Sequence, residues 1–329
     1  MEIGFDKRIE LLYGLQYCVE KDYPQTLYPE GGFFNDTLPS YMDAFYQKYK
    51  RHASEELINY IRMGGFDTYD RTIRIGLALD DSYGVVISEE IRAIQRRNPY
   101  FSVEQMERLL QDFVKKSEYE SFWEEQQDIL NRVVEAYKMG IKESGNFDAD
   151  VLVDFYGYRI GEFRIGLLNY IRGGFGMHMV DTIVNYQGFR NIGEDEENIM
   201  INSTSIIITC LHEFSHPYLN PLGYRYLQGE NVSRIYEQAI EDGLHPCYHD
   251  PITFVNEYLV RGVQFFLGSR YISREELAPM IDWHIKGLGF RDIEEIMSLL
   301  VNVKEYDSFE RFYVEKVIPF FTDCRTSHI

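Results

Sequence analysis

The sequence of 329 residues predicts an α+β protein that is predominantly helical and contains a small mixed sheet. Two observations support this class. Apolar residues recur at helical spacing through most of residues 1–150, and again from Ser205 almost to the last residue. Between Gly145 and Asn202, β-branched and aromatic residues are interrupted by glycines, which is typical of short strands joined by turns. No Gly/Ser-rich linker separates these parts, so we expect one compact unit.

The sequence of residues 1–150 predicts a helical region, and none of its patterns indicates a catalytic or binding site. We interpret this region as a scaffold that also forms a wall of the cleft in which the site lies. The sequence Ser102-Val103-Glu104-Gln105 fits a capping box, in which the serine caps a helix and the glutamine lies three residues later. Ser54 is a second predicted N-cap. The helices predicted here are 5–19, 41–51, 54–62, 102–116 and 122–143.

The second half of the chain predicts strands first and then helices. Asp250-Pro251 is a clear start signal, with the aspartate as N-cap and the proline at the first helical position. The predicted strands are 158–165, 168–171, 177–186 and 198–201. The predicted helices are 205–216, 229–242, 251–268, 273–286, 291–303 and 308–321.

The composition limits the partners that the protein can have. A formal net charge of −20 is unsuited to the phosphate backbone of a nucleic acid, so we expect no nucleic-acid partner. No apolar run approaches the roughly 18 residues of a membrane-spanning helix, so we expect no membrane partner. No signal peptide is visible, and the four cysteines include no Cys-x-x-Cys pair. These features predict a cytoplasmic protein.

Residues 212–216 have the sequence His-Glu-Phe-Ser-His. On a helix, residues four apart lie nearly above one another, so His212 and His216 can present two imidazoles to one metal ion. Glu213 lies about 100° further round the helix, where its carboxylate can reach a water molecule at the open side of the metal. Both histidines fall on a polar stripe of an otherwise apolar helix. The pattern predicts a zinc hydrolase in which Glu213 is the general base.

Such a site needs a third protein ligand. A metzincin would have a glycine and a histidine where this chain has Leu219 and Leu222, so that pattern is excluded. The predicted helix 251–268 is apolar except for a stripe that includes Glu257 and Arg261. We favour Glu257 as the third ligand, and the alternative is an exposed i,i+4 ion pair between Glu257 and Arg261.

His245 and His249 compete with Glu257 for the third position. They are also four residues apart, but Pro246 and the start signal at Asp250 place them in a loop, so the helical spacing argument does not apply. Either histidine could instead stabilise an oxyanion, and we name His249 as the candidate donor. The other candidates for that role are Tyr224, Tyr226, His245 and Arg261.

Pro217 follows the second motif histidine directly. Proline lacks a backbone donor and disfavours α geometry in the residue before it, so we expect the helix to kink or end at His216. Ligation by His216 remains possible at such a position, but with a less regular geometry.

The His212–His216 motif, followed by Asn256-Glu257 on a later helix, resembles the gluzincin branch of the HExxH zincin metallopeptidases. The resemblance covers roughly residues 175–268, and the gap between the two motifs is longer than in thermolysin-like members. The whole chain is also similar to uncharacterised bacterial proteins that share this motif and are grouped as a domain of unknown function.

The resemblance implies a zincin-like catalytic core, made of a small mixed sheet and an active-site helix, within residues 151–329. It implies that His212, His216 and Glu257 hold Zn²⁺ and that Glu213 activates water. It also implies that a strand just before the active-site helix in the sequence pairs with the substrate in antiparallel direction. Residues 177–186 or 198–201 could form this strand.

We therefore predict a zinc-dependent metallopeptidase that acts on a peptide or protein substrate. Glu213 would take the proton of the attacking water and pass it to the leaving amine. One alternative is a zinc hydrolase of non-peptide amides or esters. Another is a non-catalytic helical interaction protein whose metal is structural or absent.

Overall fold

The computed structural model describes residues 1–29, 32–35, 37–179, 181–193, 195–241 and 250–322, without the side chains of 229–231. Most of these residues are helical, so the prediction of a predominantly helical α+β protein is confirmed. In these ranges, no helix is both long enough and apolar enough to cross a membrane. The α-helices are α1 (Lys7–Asp22), α2 (Pro39–His52), α3 (Glu55–Arg62), α4 (Asp70–Leu77), α5 (Glu89–Arg97), α6 (Val103–Ser117), α7 (Tyr119–Glu125), α8 (Gln127–Glu143), α9 (Asp150–Tyr156), α10 (Ser203–Tyr226), α11 (Gly229–Glu241), α12 (Pro251–Gly268), α13 (Arg274–Lys286), α14 (Ile293–Leu300), α15 (Phe309–Phe312) and α16 (Ile318–Thr322). A 3₁₀ turn (Val301–Glu305) follows α14, and a π-helical turn (Tyr313–Val317) joins α15 to α16.

The helix start signals read from the sequence are confirmed. Ser54, Ser102 and Asp250 each accept a hydrogen bond from the backbone N–H three residues on, at 3.2, 3.3 and 2.9 Å. Each bond satisfies one of the backbone donors that the first helical turn leaves unpaired. The predicted helix 122–143 begins earlier and is interrupted at Gln126, between α7 and α8.

The four strands form one mixed sheet in the order β1-β2-β4-β3. They are β1 (Glu2–Phe5), β2 (Glu162–Leu168), β3 (Gly174–Met179) and β4 (Thr182–Gly188). The pairs β1–β2 and β2–β4 are parallel, whereas β3 and β4 are antiparallel, with Gly176 opposite Asn185. This order leaves β3 at one edge of the sheet.

Three details of the sheet differ from the predictions. Residues 177–186 are not a single strand, because the chain reverses after Met179 and the same stretch supplies parts of β3 and β4. Residues 198–201 are not a strand, since Asp195 accepts hydrogen bonds from the backbone N–H groups of Glu197 and Asn198 in a local turn. Residues 2–5, which the sequence patterns did not assign to a strand, form β1.

We predicted a kink or an end of the helix at His216, and the predicted end is wrong, because helix α10 continues past this residue. It runs from Ser203 to Tyr226 through Pro217 and a second proline, Pro221. Pro217 has no N–H to donate to the carbonyl of Glu213, four residues earlier. Packing keeps the helix together across this gap, since Phe214, Tyr218 and Leu219 are all at most 1 % exposed. The free energy of burying this apolar face outweighs the lost hydrogen bond.

One hydrophobic core collects side chains from both predicted regions. Leu11 and Leu110 from the first region join Phe214 and Val260 from the second in a single cluster of buried residues. Because β1 also pairs with β2, residues 2–5 contribute directly to the sheet beside α10. The predicted division into a helical N-terminal region, 1–150, and a zincin-like catalytic region, 151–329, stays a prediction.

Glu10 of α1 is a carboxyl group inside this core, 1 % exposed. It accepts hydrogen bonds from the backbone N–H and the side-chain amide of Asn169, at 3.0 and 2.6 Å. Burial raises the pKa of Glu10 from its usual 4.5 to about 8, although the hydrogen bonds from Asn169 act to lower it. The folded protein therefore holds this proton at neutral pH, whereas the unfolded chain releases it.

We expect Glu10→Gln to stabilise the protein at neutral and alkaline pH. Because the folded pKa exceeds the unfolded one, the wild type loses stability as the pH rises from about 4.5 to about 8. Glutamine mimics the neutral acid and avoids this loss, worth about 3 kcal/mol at pH 7. Urea unfolding at pH 5, 7 and 9 measures the difference, with the exposed Glu125→Gln as control. If the free energy of unfolding depended on pH in the same way in the wild type and in Glu10→Gln, the prediction would be contradicted.

Candidate metal centre

Helices α10 and α12 pack closely and bring the candidate ligands together. Gly223 makes the approach possible, because a Cβ at this position would lie 2.0 Å from the side-chain oxygen of Asn256. Asn256 precedes Glu257, so the close approach aligns Glu257 with the face of α10 that carries the motif histidines.

Three ligand atoms converge on one point between the helices. The Nε2 atoms of His212 and His216 lie 3.2 Å apart. The Glu257 carboxylate approaches them through one oxygen each, at 3.6 Å from His212 and 3.4 Å from His216. All three side chains are largely buried. Among the described residues, these three form the group of His, Cys, Asp and Glu side chains that could hold a metal ion.

The spacing of these atoms fits a zinc ion. Two nitrogens that bind one tetrahedral zinc at about 2.0–2.1 Å are separated by about 3.3 Å. The 3.2 Å between the histidine nitrogens agrees with this separation. Two imidazoles and one carboxylate are also a ligand set of catalytic zinc sites, which keep a fourth position open.

Hydrogen bonds fix the orientation of both imidazoles. The side-chain oxygen of Gln264 lies 2.6 Å from Nδ1 of His212, and that of Asn220 lies 3.3 Å from Nδ1 of His216. Because an amide oxygen can only accept, each contact places the proton on Nδ1 and leaves the Nε2 lone pair for a metal. Burial lowers the pKa of His212 to about 3, so this imidazole is neutral at physiological pH, as a ligand must be.

We expect Gln264→Leu to weaken zinc binding by about 10–100-fold, since the proton and orientation of His212 would no longer be fixed. The variant Gln264→Glu keeps an acceptor for Nδ1 and should retain most of the affinity. Competition with a chromogenic chelator measures both constants. Equal zinc affinity in Gln264→Leu and the wild type would show that His212 needs no partner.

Glu257 is held from the other side by Arg261. The guanidinium Nη1 lies 2.5 Å from a carboxylate oxygen of Glu257, and the guanidinium is stacked 4.4 Å from the ring centre of Phe290. Burial acts to raise the pKa of Glu257, but the electrostatic interactions with the two imidazoles and with Arg261, together with the hydrogen bond from Arg261, outweigh it and lower the pKa. The ion pair considered from the sequence is therefore present, but it is buried, and the same carboxylate also faces the histidines.

Glu213 lies beside this cluster and against strand β3. The backbone N–H of Gly176 donates to its carboxylate at 2.7 Å. Only glycine fits at position 176, because a Cβ there would lie 2.7 Å from the backbone oxygen and 2.9 Å from the carboxylate of Glu213. Burial raises the pKa of the Glu213 carboxyl above its usual 4.5. A carboxylate with a raised pKa is suited to accept and return a proton.

Strand β3 directs backbone groups away from β4 on the side of Glu213. The backbone N–H of Gly188 donates to the oxygen of Gly173, which defines a hydrogen-bonded pair at the start of the β3–β4 ladder. Since such pairs alternate in an antiparallel ladder, Gly174, Gly176 and His178 point their N–H and C=O groups away from β4. The hydrogen bond from Gly176 to Glu213 agrees with this direction.

The other candidates from the sequence do not join the cluster within the described residues. His245 and His249, including the proposed oxyanion donor His249, lie outside the residues that the structure describes. The hydroxyl of Tyr224 lies 3.3 Å from that of Thr253, and the hydroxyl of Tyr226 donates to Glu310. Arg261 contacts Glu257, the candidate third ligand.

Three residues of the site, Asn220, Gln264 and Gly176, had no role predicted from the sequence. Gln264 was visible as part of the polar stripe on the helix of Glu257, and its position seven residues after Glu257 puts it on the same face. Gly176 belongs to a glycine-rich strand, and a glycine within a strand often marks the close approach of another backbone.

Comparisons with known proteins identify the family of the chain. A family model described as a domain of unknown function (DUF4932) matches residues 3–318. Neither the curated proteins nor the solved structures contain a match. Because the family model spans nearly the whole sequence, the chain belongs to the DUF4932 family.

Proposed function

We propose that the protein is a zinc-dependent peptidase with a zincin-like core. The observation that carries the proposal is the convergence of His212, His216 and Glu257 on one point, with the Glu213 carboxylate alongside. These three residues would hold the metal. Bound zinc would polarise the carbonyl of the scissile bond and lower the pKa of a water molecule in the open position.

Glu213 would perform the proton transfers of the reaction. Its carboxylate would accept a proton from water as the water oxygen forms a bond to the carbonyl carbon. It would return this proton to the nitrogen when the C–N bond breaks, which releases an amine and a carboxylic acid. The hydrogen bond from Gly176 would orient the carboxylate, and burial raises the pKa of Glu213 in the direction that this role requires.

The edge of β3 on the side away from β4 favours peptides over small amides and esters as substrates. An extended peptide can add to such an edge through backbone hydrogen bonds, whatever its side chains are. β3 lies next to the helix that carries His212 and His216. By the gluzincin resemblance, it would be the strand that pairs with substrate in antiparallel direction. An added peptide that runs antiparallel to β3 would pass its backbone directly in front of Glu213.

Metal content and peptide cleavage test the proposal together. We expect purified protein to bind one zinc ion per chain by elemental analysis. It should cleave peptides of a random-sequence nonapeptide library, detected by mass spectrometry. Chelation should remove the activity and added zinc should restore it. Stoichiometric zinc without cleavage of any peptide would exclude a peptidase, and failure to bind zinc would support a non-catalytic protein.

A further inference from the structure

A short segment, residues 33–35, pairs with the chain just before β3 begins. The backbone N–H of Arg172 donates to the oxygen of Phe33 at 2.8 Å. Phe34 and Ile171 form an isolated antiparallel bridge next to this hydrogen bond. The segment therefore occupies the position beside Arg172 at which another extended chain would pair.

Aromatic contacts hold this segment in place. The ring of Phe33 is stacked on that of Tyr28, with ring centres 4.0 Å apart, and meets the ring of Tyr69 edge-on at 5.3 Å. Phe34 meets Tyr17 edge-on at 5.7 Å. Such ring pairs stabilise a structure beyond the burial of their apolar surface. A substrate would displace the segment only by breaking these contacts.

The ring of Phe33 extends toward the first residues of β3. Its centre lies 6.5 Å from that of Phe175, which directly precedes Gly176. Gly176 is the residue whose backbone N–H donates to the Glu213 carboxylate. At about 3.3 Å per residue, the occupied position at Arg172 is at most roughly 13 Å from Gly176 along the chain.

A peptide added to β3 therefore meets an obstacle on one side of Glu213. Within the described residues, no strand pairs with β3 on its side away from β4, to which Gly174 and Gly176 direct their backbone groups. A peptide on that side reaches residues 33–35 after about two to four residues. In the opposite direction, His178 of the same strand is exposed.

We infer that the protein removes fragments of about two to four residues from one end of its peptide substrates. This inference rests on the proposed peptidase function. Residues 33–35 close the edge of β3 at the start of the strand, so a peptide bound across Glu213 extends further only toward the end of β3. A peptide that runs antiparallel to β3 would lose its C-terminal residues, and a parallel peptide would lose its N-terminal residues.

Cleavage of a random library of hexadecapeptides tests the inference. We expect one product of each cut to contain no more than about four residues, always from the same end of the peptide. Head-to-tail cyclic versions of the cleaved peptides, which have no end, should resist cleavage. Cuts that leave six or more residues on both sides, or cleavage of the cyclic peptides, would overturn the inference.

Two variants at Phe33 test whether this segment sets the length limit. Phe33→Ala removes the ring beside Phe175, so the released fragments should become longer by about one residue of extended chain. Phe33→Leu keeps most of the apolar bulk and should give wild-type fragments. Unchanged fragment lengths in Phe33→Ala would overturn the assignment of the limit to this segment. If Phe33→Ala does not fold, the wild-type digest still decides the inference.

Photochemical cross-linking separates failure of this inference from failure of the proposed function. Hexadecapeptides with a photoreactive residue at the first, middle or last position are bound to zinc-loaded Glu213→Gln, and mass spectrometry locates the attachment. Attachment at Phe33 from one terminal position alone supports the inference even if the wild type cleaves nothing. Equal attachment from the middle position overturns it and leaves the peptidase standing. Absence of both attachment and cleavage overturns both.

Discussion

Replacing Glu213 by glutamine is expected to lower peptide hydrolysis by about 10²–10⁴-fold while zinc stays bound. Glutamine keeps the size of the side chain and can still accept the hydrogen bond that Gly176 donates at 2.7 Å. It cannot take a proton from water, so only the proton transfers are lost. Turnover of a cleaved library peptide and elemental analysis of the same preparation measure both effects.

The control for this variant is Glu294→Gln on α14, which makes the same chemical change on an exposed glutamate. Its activity and zinc content should equal those of the wild type. Survival of activity in Glu213→Gln would contradict the mechanism, even with zinc present. Loss of zinc in that variant would instead assign Glu213 to the ligands.

The core of the candidate site could be predicted from the sequence because its geometry is local. His212, Glu213 and His216 are related by helical spacing alone, so the pattern fixes their relative directions before any tertiary contact is known. Glu257 could be predicted because a carboxylate in an apolar helix requires a partner. Its neighbours on the stripe, Arg261 and Gln264, face the same cluster for the same reason.

What the sequence could not supply depends on tertiary packing. Local rules predicted a kink or an end of the helix at His216, before Pro217, but burial of the residues around Pro217 keeps α10 continuous. The reversal after Met179 and the pairing of β1 with β2 depend on contacts between distant segments. Gly176 has a role only because α10 packs on β3. The position of β3 at the edge of the sheet becomes visible only when these contacts are formed.

Glu257→Gln is expected to weaken zinc binding by at least about 100-fold, because it removes the only anionic member of the three-residue cluster. The same change leaves Arg261 buried at 8 % exposure without its 2.5 Å partner. Loss of one member of a buried ion pair costs about 3–5 kcal/mol, so the variant should also be less stable. A drop in stability alone would therefore not identify a ligand.

The double variant Glu257→Gln/Arg261→Met separates the two roles of Glu257. Methionine removes the guanidinium charge and keeps an apolar chain against Phe290, so stability should recover toward that of the wild type. Zinc affinity should not recover, because the anionic ligand is still missing. Chelator competition and urea unfolding of the single and double variants measure the two effects. If Glu257 served only as the partner of Arg261, the single variant would lose stability but bind zinc as tightly as the wild type.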